Sequence, residues 1–263
     1  MIKEKIIFGI HSVQEALEAG QEIDKIYLRR ALISEEVRAI KRLAREQRIP
    51  VLEVPVERLN RFTRGAHQGC VAIIAQVSYT PLEMLVPQIF ERGEDPLIVL
   101  LDGVTDTRNF GAIARSAECA GAHALVIAER GSVSVSADAV NASAGALMRI
   151  PVCRVPSISG AVGYLAECGL QIVVANEKAE NTYYTTDLTG PLALVMGSEH
   201  EGVSPQVARL ATLSVAIPQV GEIGSLNVSV AAGILLFESL RQNAKSKRNK
   251  YHLIIEKRYE ESN

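Results

Sequence analysis

Apolar residues divide the chain into two regimes. From residue 96 onward, short and nearly continuous apolar runs recur at 97–101, 124–127, 152–155, 171–175, 192–196 and 213–217. Stretches of helical periodicity lie between and after them, near 110–120, 137–144, 159–167, 205–210 and 227–241. Strands apolar on both faces, alternating with helices, predict a mostly parallel sheet covered on both sides. Residues 1–78 predict a separate small α/β unit, with helices at 12–19, 35–47 and 56–62 and strands at 25–28, 51–54 and 71–77. Residues 79–95 carry two prolines and a Gly-Glu-Asp end, and are expected to link the units with a short helix inside. A large domain is thus expected at 96–242, and a charged, mobile tail at 243–263.

The stretch 217–241 organises the larger unit. Val228, Ala231, Ala232, Leu235, Leu236, Ser239 and Leu240 recur at helical spacing and predict one buried face. Gly221 and Gly224 before them are expected to take backbone angles closed to other residues and to bring the chain close to a ligand. Ser225 is the candidate N-cap. A helix entrance of this kind supplies free backbone groups to a cofactor, although a plain strand–turn–helix fits the same residues.

In open parallel sheets ligands bind beyond the carboxyl ends of the strands. Besides the loop before the last helix, two such segments stand out, 101–122 and 195–204. In the first, Asn109 is placed to cap a helix from Phe110, and Arg115 follows among Ile113, Ala114 and Ala117. In the second, Gly197 would let a ligand approach the backbone and Glu199 would project from the loop. Asp102 and Glu201 read as solvated acids. No G-x-G-x-x-G or P-loop occurs, so the common dinucleotide and nucleoside-triphosphate sites have no support.

Composition changes this picture little and charge changes it more. No apolar run suits a membrane helix, and the N-terminus has no signal-peptide core. Cys70, Cys119, Cys153 and Cys168 lack C-x-x-C spacing and are expected to be reduced and buried in a cytoplasmic protein. The five histidines form no ligand pattern, so no metal is expected. Residues 1–78 hold 13 Lys and Arg against 10 Asp and Glu, residues 79–240 hold 8 against 17, and residues 241–263 hold 7 against 3. Basic ends around an acidic middle suit a chain whose ends meet a polyanion, and equally a solvated surface. Arg38, Lys41, Arg42, Arg45 and Arg48 crowd one predicted helix. With Arg29, Arg30, Arg61, Arg64 and His67 they could line a phosphate-binding face.

Taken together, the motifs resemble the SpoU/TrmH branch of the SPOUT RNA methyltransferases over most of the chain. N-F-G-A-I-A-R-S-A (109–117) fits that family's first motif, G-S-E-H-E-G (197–202) its second, and I-P…S-L-N-V-S-V-A (217–231) its third. F-G-I-H-S-V-Q-E-A-L (8–17) and H-Q-G-C-V-A (67–72) look like the small substrate-binding domain, similar to the ribosomal protein L30e fold, of the 23S rRNA guanosine 2′-O-methyltransferases. His200 and Cys70 fall in slots that look variable, and the basic tail is longer than the pattern leads one to expect.

The resemblance implies a catalytic domain with a C-terminal trefoil knot, bent S-adenosyl-L-methionine bound there, and a homodimer with the site completed near the subunit interface. The dimer needs an apolar face on the last helix, which Leu235, Leu236 and Leu240 would share with the core. Cofactor contacts carry over to Met196, Gly197, Ser198, Ile217 and Leu226, and functional residues to Asn109, Arg115, Glu199, Ser225 and Asn227. The implied reaction is attack of a ribose 2′-oxygen on the cofactor's methyl group. A guanidinium keeps its proton at working pH, so two roles for Arg115 stay open. It clamps a phosphate and stabilises the developing alkoxide while Glu199 or water takes the proton, or it becomes the base after burial beside other cations. Alternatives are a tRNA ribose methyltransferase and a non-catalytic RNA-binding or ribosome-assembly protein.

Overall fold

The computed structural model describes residues 5–199 and 201–246. His200 and the tail beyond 246 lie outside the described residues; of the tail expected to be mobile at 243–263, residues 243–246 instead continue the last helix.

The N-terminal unit is a four-stranded sheet with strands in the order β1 (Ile6–Phe8), β4 (Cys70–Ile74), β2 (Ile23–Arg29), β3 (Val51–Val54). β4 runs antiparallel to both neighbours, while β2 and β3 are parallel. Helices α1 (Ile10–Glu18) and α2 (Glu35–Glu46) pack Val13, Leu17, Ile40 and Ala44 against Ile26, Leu28 and Ala72. Short α3 (Val56–Leu59) closes the other face with Leu59. The predicted helix at 56–62 stops early because 60–69 turns back as a loop. β1 has only three residues, too few for a visible alternation.

The larger unit is a seven-stranded sheet whose pairings are all parallel. Its order is β7 (Val152–Val155), β6 (Ala124–Ala128), β5 (Leu97–Asp102), β10 (Leu192–Gly197), β8 (Gln171–Ala175), β11 (Leu213–Ala216), β9 (Asn181–Thr182). Alternate residues of β5 feed two separate cores, as the pleat requires. Val99 and Leu101 meet α5 (Thr107–Cys119) and α9 (Val228–Ser246) through Phe110, Ile113, Leu235 and Leu236. Ile98 and Leu100 meet α4 (Leu82–Glu91) and α7 (Ile158–Glu167) through Leu85, Ile89, Val162 and Leu165. The helix expected inside 79–95 therefore covers the sheet as well as connecting the units.

The helix expected at 137–144 ends earlier, as α6 (Ala137–Ala142), followed by a 3-10 turn at Ala146–Met148. Its close fit to α5 is set by Gly111, where a Cβ would come 2.5 Å from the Ala142 Cβ. α8 (Pro205–Ala208) stops two residues short of the predicted 205–210. The cysteines divide: Cys70 and Cys153 are buried, with their thiols pushed up to about 12 by burial, whereas Cys119 is exposed and Cys168 half-buried. Cys119 comes out because it ends α5 on the side away from the sheet.

Candidate active site

β10 is buried along its whole length and ends where three loops meet. On the β5 side its pairing runs to Gly197, opposite Asp102; on the β8 side it stops at Val195, opposite Val174. The last two residues of β10 thus have an edge uncovered by β8. There a cavity of about 320 Å³ opens, lined by Met196, Gly197, Ser198, Ile217 and Leu226, the five cofactor residues expected from the sequence. Val174, Val215 and Val228 extend its apolar wall, and Asn176, Glu177, Gln219 and Ser225 are polar lining groups. The Asn176–Glu177–Lys178 group lies at the carboxyl end of β8, and that placement is the signal by which it could have been read in advance.

The loop after β10 is a tight reversal. Ser198 N–H donates to the Gly202 carbonyl and Gly202 N–H to the Ser198 carbonyl, each at 3.0 Å. A Cβ on Gly197 would lie 2.1 Å from the Gly202 carbonyl carbon and 2.3 Å from the Val203 nitrogen. The chain's own return, not ligand approach, requires glycine there. Asp102, expected to be solvated, is half-buried and accepts the Ser204 N–H at 2.7 Å, tying the end of β5 to this loop. Glu201 is exposed at the cavity rim.

Three polar residues from three distant segments converge beside the cavity. Asn109 donates through Nδ2 to Glu199 Oε1. Asn227 Nδ2 donates to Asn109 Oδ1 at 3.0 Å and to Glu199 Oε1 at 3.3 Å. Both amide orientations follow from this pattern, because Asn227 Oδ1 is already taken by the Ser229 N–H at 2.9 Å and the Ser229 hydroxyl at 2.5 Å. Asn227, rather than Ser225, is therefore the cap of α9, and Ser225 lines the cavity instead. Nor does Asn109 cap its helix: α5 starts at Thr107, and Asp106 Oδ1 accepts from Arg108 N at 2.9 Å and Asn109 N at 2.8 Å. A carboxylate there also meets the positive end of the helix dipole. Asn109, in the first turn, keeps its amide for Glu199.

Arg115 stands apart. It is exposed, has no hydrogen bond or ion pair among the described residues, and lies six residues past Asn109, about 120° away around the helix. α5 and α9 run side by side in the same direction, since Asn109 meets Asn227 and a Cβ on Gly233 would sit 3.6 Å from Ser116 Oγ. Gly221 and Gly224 do not adopt the backbone angles expected of them: neither has positive φ, and a Cβ at either would meet nothing within 4 Å. With no close neighbour, that loop imposes no such angle. Among the described residues, no group of three or more His, Cys, Asp or Glu could hold a metal, and no helix is long and apolar enough to cross a membrane.

On the N-terminal unit Arg38, Lys41, Arg42, Arg45 and Arg48 are all exposed, with Lys41 held by Glu53 at 2.7 Å. Arg29, Arg30, Arg61 and Arg64 are exposed too. His67 is occupied within its loop, accepting the Gly69 N–H at Nδ1 and meeting Asn60 Oδ1 at Nε2.

A parallel α/β domain with a small-molecule cavity beside a polar triad, joined to a unit studded with exposed cations, defines a class: an enzyme domain coupled to a polyanion-binding one. The profile of the SpoU rRNA methylase family matches residues 96–237, and that for RNA 2′-O ribose methyltransferase substrate binding matches residues 6–80. The chain belongs to the SpoU rRNA methylase family. A relative named as the TrmH family tRNA/rRNA methyltransferase YacO of Bacillus subtilis (strain 168) is 33% identical over 236 residues, 90% of this chain and 95% of that one. The AdoMet-bound rRNA methyltransferase from Sinorhizobium meliloti superposes with a TM-score of 0.58 at 29% identity, covering 91% of this chain and 87% of the other. The TrmH/SpoU tRNA modifying enzyme of A. aeolicus gives 0.52 at 30% identity, covering 63% of this chain and 86% of its own.

Proposed function

We propose that this protein transfers the methyl group of S-adenosylmethionine to a ribose 2′-hydroxyl of RNA, most specifically a guanosine of 23S rRNA. The observation that carries the reading is the hydrogen-bonded set Asn109–Glu199–Asn227 beside the cavity at the end of β10. The cavity residues fit the cofactor: apolar Val174, Met196, Val215 and Ile217 suit a flat heterocycle, and the uncovered backbone of Met196 and Gly197 together with Ser225 and Gln219 suits its polar groups. When bound, the cofactor supplies an electrophilic methyl group.

The chain's own residues then have distinct tasks. Asn109 and Asn227 hold the Glu199 carboxylate in one orientation, so that it can accept the proton of an incoming 2′-hydroxyl. Arg115, exposed and without a partner among the described residues, clamps the neighbouring phosphate and stabilises the developing alkoxide. Its position away from the triad in one protomer favours the reading in which a homodimer completes the site. Of the residues expected to share a dimer face with the core, Leu235 and Leu236 are fully buried in the protomer's own core and Leu240 is half-buried, which leaves little of that face free. Val230 and Phe237, on one exposed face of α9, take their place. A trefoil knot and a cytoplasmic setting belong to the same reading.

Ribosomal RNA is favoured over tRNA because the N-terminal unit, with its exposed cations, aligns with the rRNA methyltransferase, whereas the tRNA enzyme covers only 63% of the chain. The test is methyl transfer from labelled S-adenosylmethionine to protein-free 23S rRNA, with bulk tRNA alongside, followed by nucleoside analysis. 2′-O-methylguanosine in rRNA alone is expected. Label in tRNA alone would overturn the substrate and keep the chemistry; a base-methylated product would overturn the chemistry.

A further inference from the structure

Where the two units meet, the structure buries charge. Asp24, on β2 of the N-terminal unit, is 3% exposed, and the Arg154 side chain, on edge strand β7, is 7% exposed. Arg154 Nη2 pairs with Asp24 Oδ1, and its Nη1 donates to the Asp24 backbone carbonyl at 2.9 Å. The Tyr79 hydroxyl donates to the same Oδ1 at 2.7 Å, and the Arg154 guanidinium lies 3.6 Å from the Tyr79 ring centroid. Burial, with Asp24 alongside, raises the Tyr79 phenol far above its ordinary value, so it stays a donor. Tyr79 is itself anchored to the large sheet by a bridge to Val152, reinforced by the Thr80 N–H donating to the Val152 carbonyl at 3.0 Å. Three chain segments are thus pinned at one carboxylate. Beside them the units are separated by a cleft of about 470 Å³ bordered by Gln47, Arg48 and Pro81, so polar contact rather than continuous apolar packing joins them here.

The contact also leads toward the triad. Lys25 pairs with Asp24 Oδ2 at 3.3 Å and donates to Ser134 Oγ at 2.7 Å, in the loop after β6. The next residue back, Val133, donates its N–H to the Val104 carbonyl at 3.0 Å. Val104 precedes Asp106, the cap of the helix that carries Asn109. We propose that Asp24, Tyr79 and Arg154 form an interdomain lock that fixes the N-terminal unit on the β7 edge, so that RNA held by that unit is presented to the catalytic residues in one register. Arg154 is a positioning residue in this scheme. A buried ion pair adds little net stability, but losing one partner leaves an uncompensated charge, so the docked arrangement is favoured over its near alternatives. Docking also sets the effective concentration of the tethered RNA at the site.

The RNA arm of the test rests on the proposed function; the docking arm does not. Full-length Arg154→Met and Tyr79→Phe are compared with wild type by limited proteolysis, small-angle scattering, cofactor calorimetry and kinetics on 23S rRNA. For Arg154→Met, cleavage within 75–80 is expected to accelerate about a hundredfold. The scattering envelope should lengthen and KM for RNA rise about tenfold, with kcat and cofactor affinity within about twofold of wild type. Tyr79→Phe should shift both readouts the same way but less. Asp24→Asn/Arg154→Gln, which removes both charges and keeps a hydrogen-bonding pair, should recover much of the docking. Unchanged cleavage and scattering in Arg154→Met and Tyr79→Phe would overturn the lock, and release of the unit with unchanged KM for RNA would overturn its positioning role. Should Arg154→Met fail to fold, Tyr79→Phe and the double variant decide by the same readouts. A wild type that methylates no RNA would sink the proposed function, and the lock would still be judged by proteolysis and scattering.

Discussion

Asn227 serves two structures through one amide: its oxygen caps α9 and its nitrogen holds Glu199 and Asn109. Two substitutions separate these tasks. Asn227→Asp keeps a capping oxygen but sets a second carboxylate against Glu199, so kcat should fall about a hundredfold with stability near wild type. Asn227→Ala loses the cap as well, and about 1 kcal/mol of stability with it. Denaturant melts beside single-turnover rates distinguish the two; equal kcat in Asn227→Asp and wild type would remove the triad from the chemistry. Arg115→Ala should abolish methyl transfer while leaving stability within about 0.5 kcal/mol, since the side chain is exposed and unpartnered among the described residues. Calorimetry with S-adenosylmethionine checks that the cavity survives. All three triad residues stood out in the sequence, but their mutual bonds did not, because they span segments up to 118 residues apart. The true cap of α5 was hidden for a local reason: Asp106 and Asn109 are both good capping residues, and only the backbone decides between them.

Among the elements, the apolar runs marked six of the seven strands of the large sheet, because a strand buried on both faces leaves little room for polar residues. The two-residue β9 had no such run to show. Glycines proved harder to read, since Gly197 and Gly224 look alike in sequence. A Cβ would collide with the return of the chain at one and meet open space at the other. Gly197→Ala should therefore displace the 198–203 loop that carries Glu199 and weaken cofactor binding at least about tenfold. Cofactor titration of Gly224→Ala, expected to match wild type, is the control. Another expectation concerns the turn between α5 and β6. His123 Nδ1 accepts the Leu97 N–H at 3.0 Å, and burial lowers the ring's pKa below its ordinary 6.5 despite the opposing pull of Glu94. The unfolded chain binds the proton more readily, so the stability this neutral ring contributes is full above about pH 6.5 and is lost as pH falls through its lower folded value. Denaturant midpoints at descending pH should show that loss in wild type and less of it in His123→Gln.

For the whole molecule, the two-unit plan was legible from the change in pattern near residue 96, but the way the units dock was not. Asp24 and Arg154 are 130 residues apart and look like ordinary surface charges until the fold buries them. Helical spacing picked out the side of α9 that is buried, but not that only part of the helix's apolar surface would face the protomer's own sheet. Leu235 and Leu236 do, whereas Val230 and Phe237, seven residues apart and so on one face, remain 50% and 48% exposed. A helix with one apolar side spent on its own core and a second left in water is a candidate for pairing with another copy. Phe237→Asp should consequently shift sedimentation from dimer to monomer without lowering the melting temperature of the fold, because Phe237 contributes little to the core. If Arg115 reaches the triad of the opposite protomer, the monomer should lose methyl transfer and retain its cofactor cavity. A variant that stayed dimeric would move the interface off α9. A monomer with full turnover would mean that Arg115 serves the triad of its own chain, and the dimer would then have to be explained by something other than catalysis.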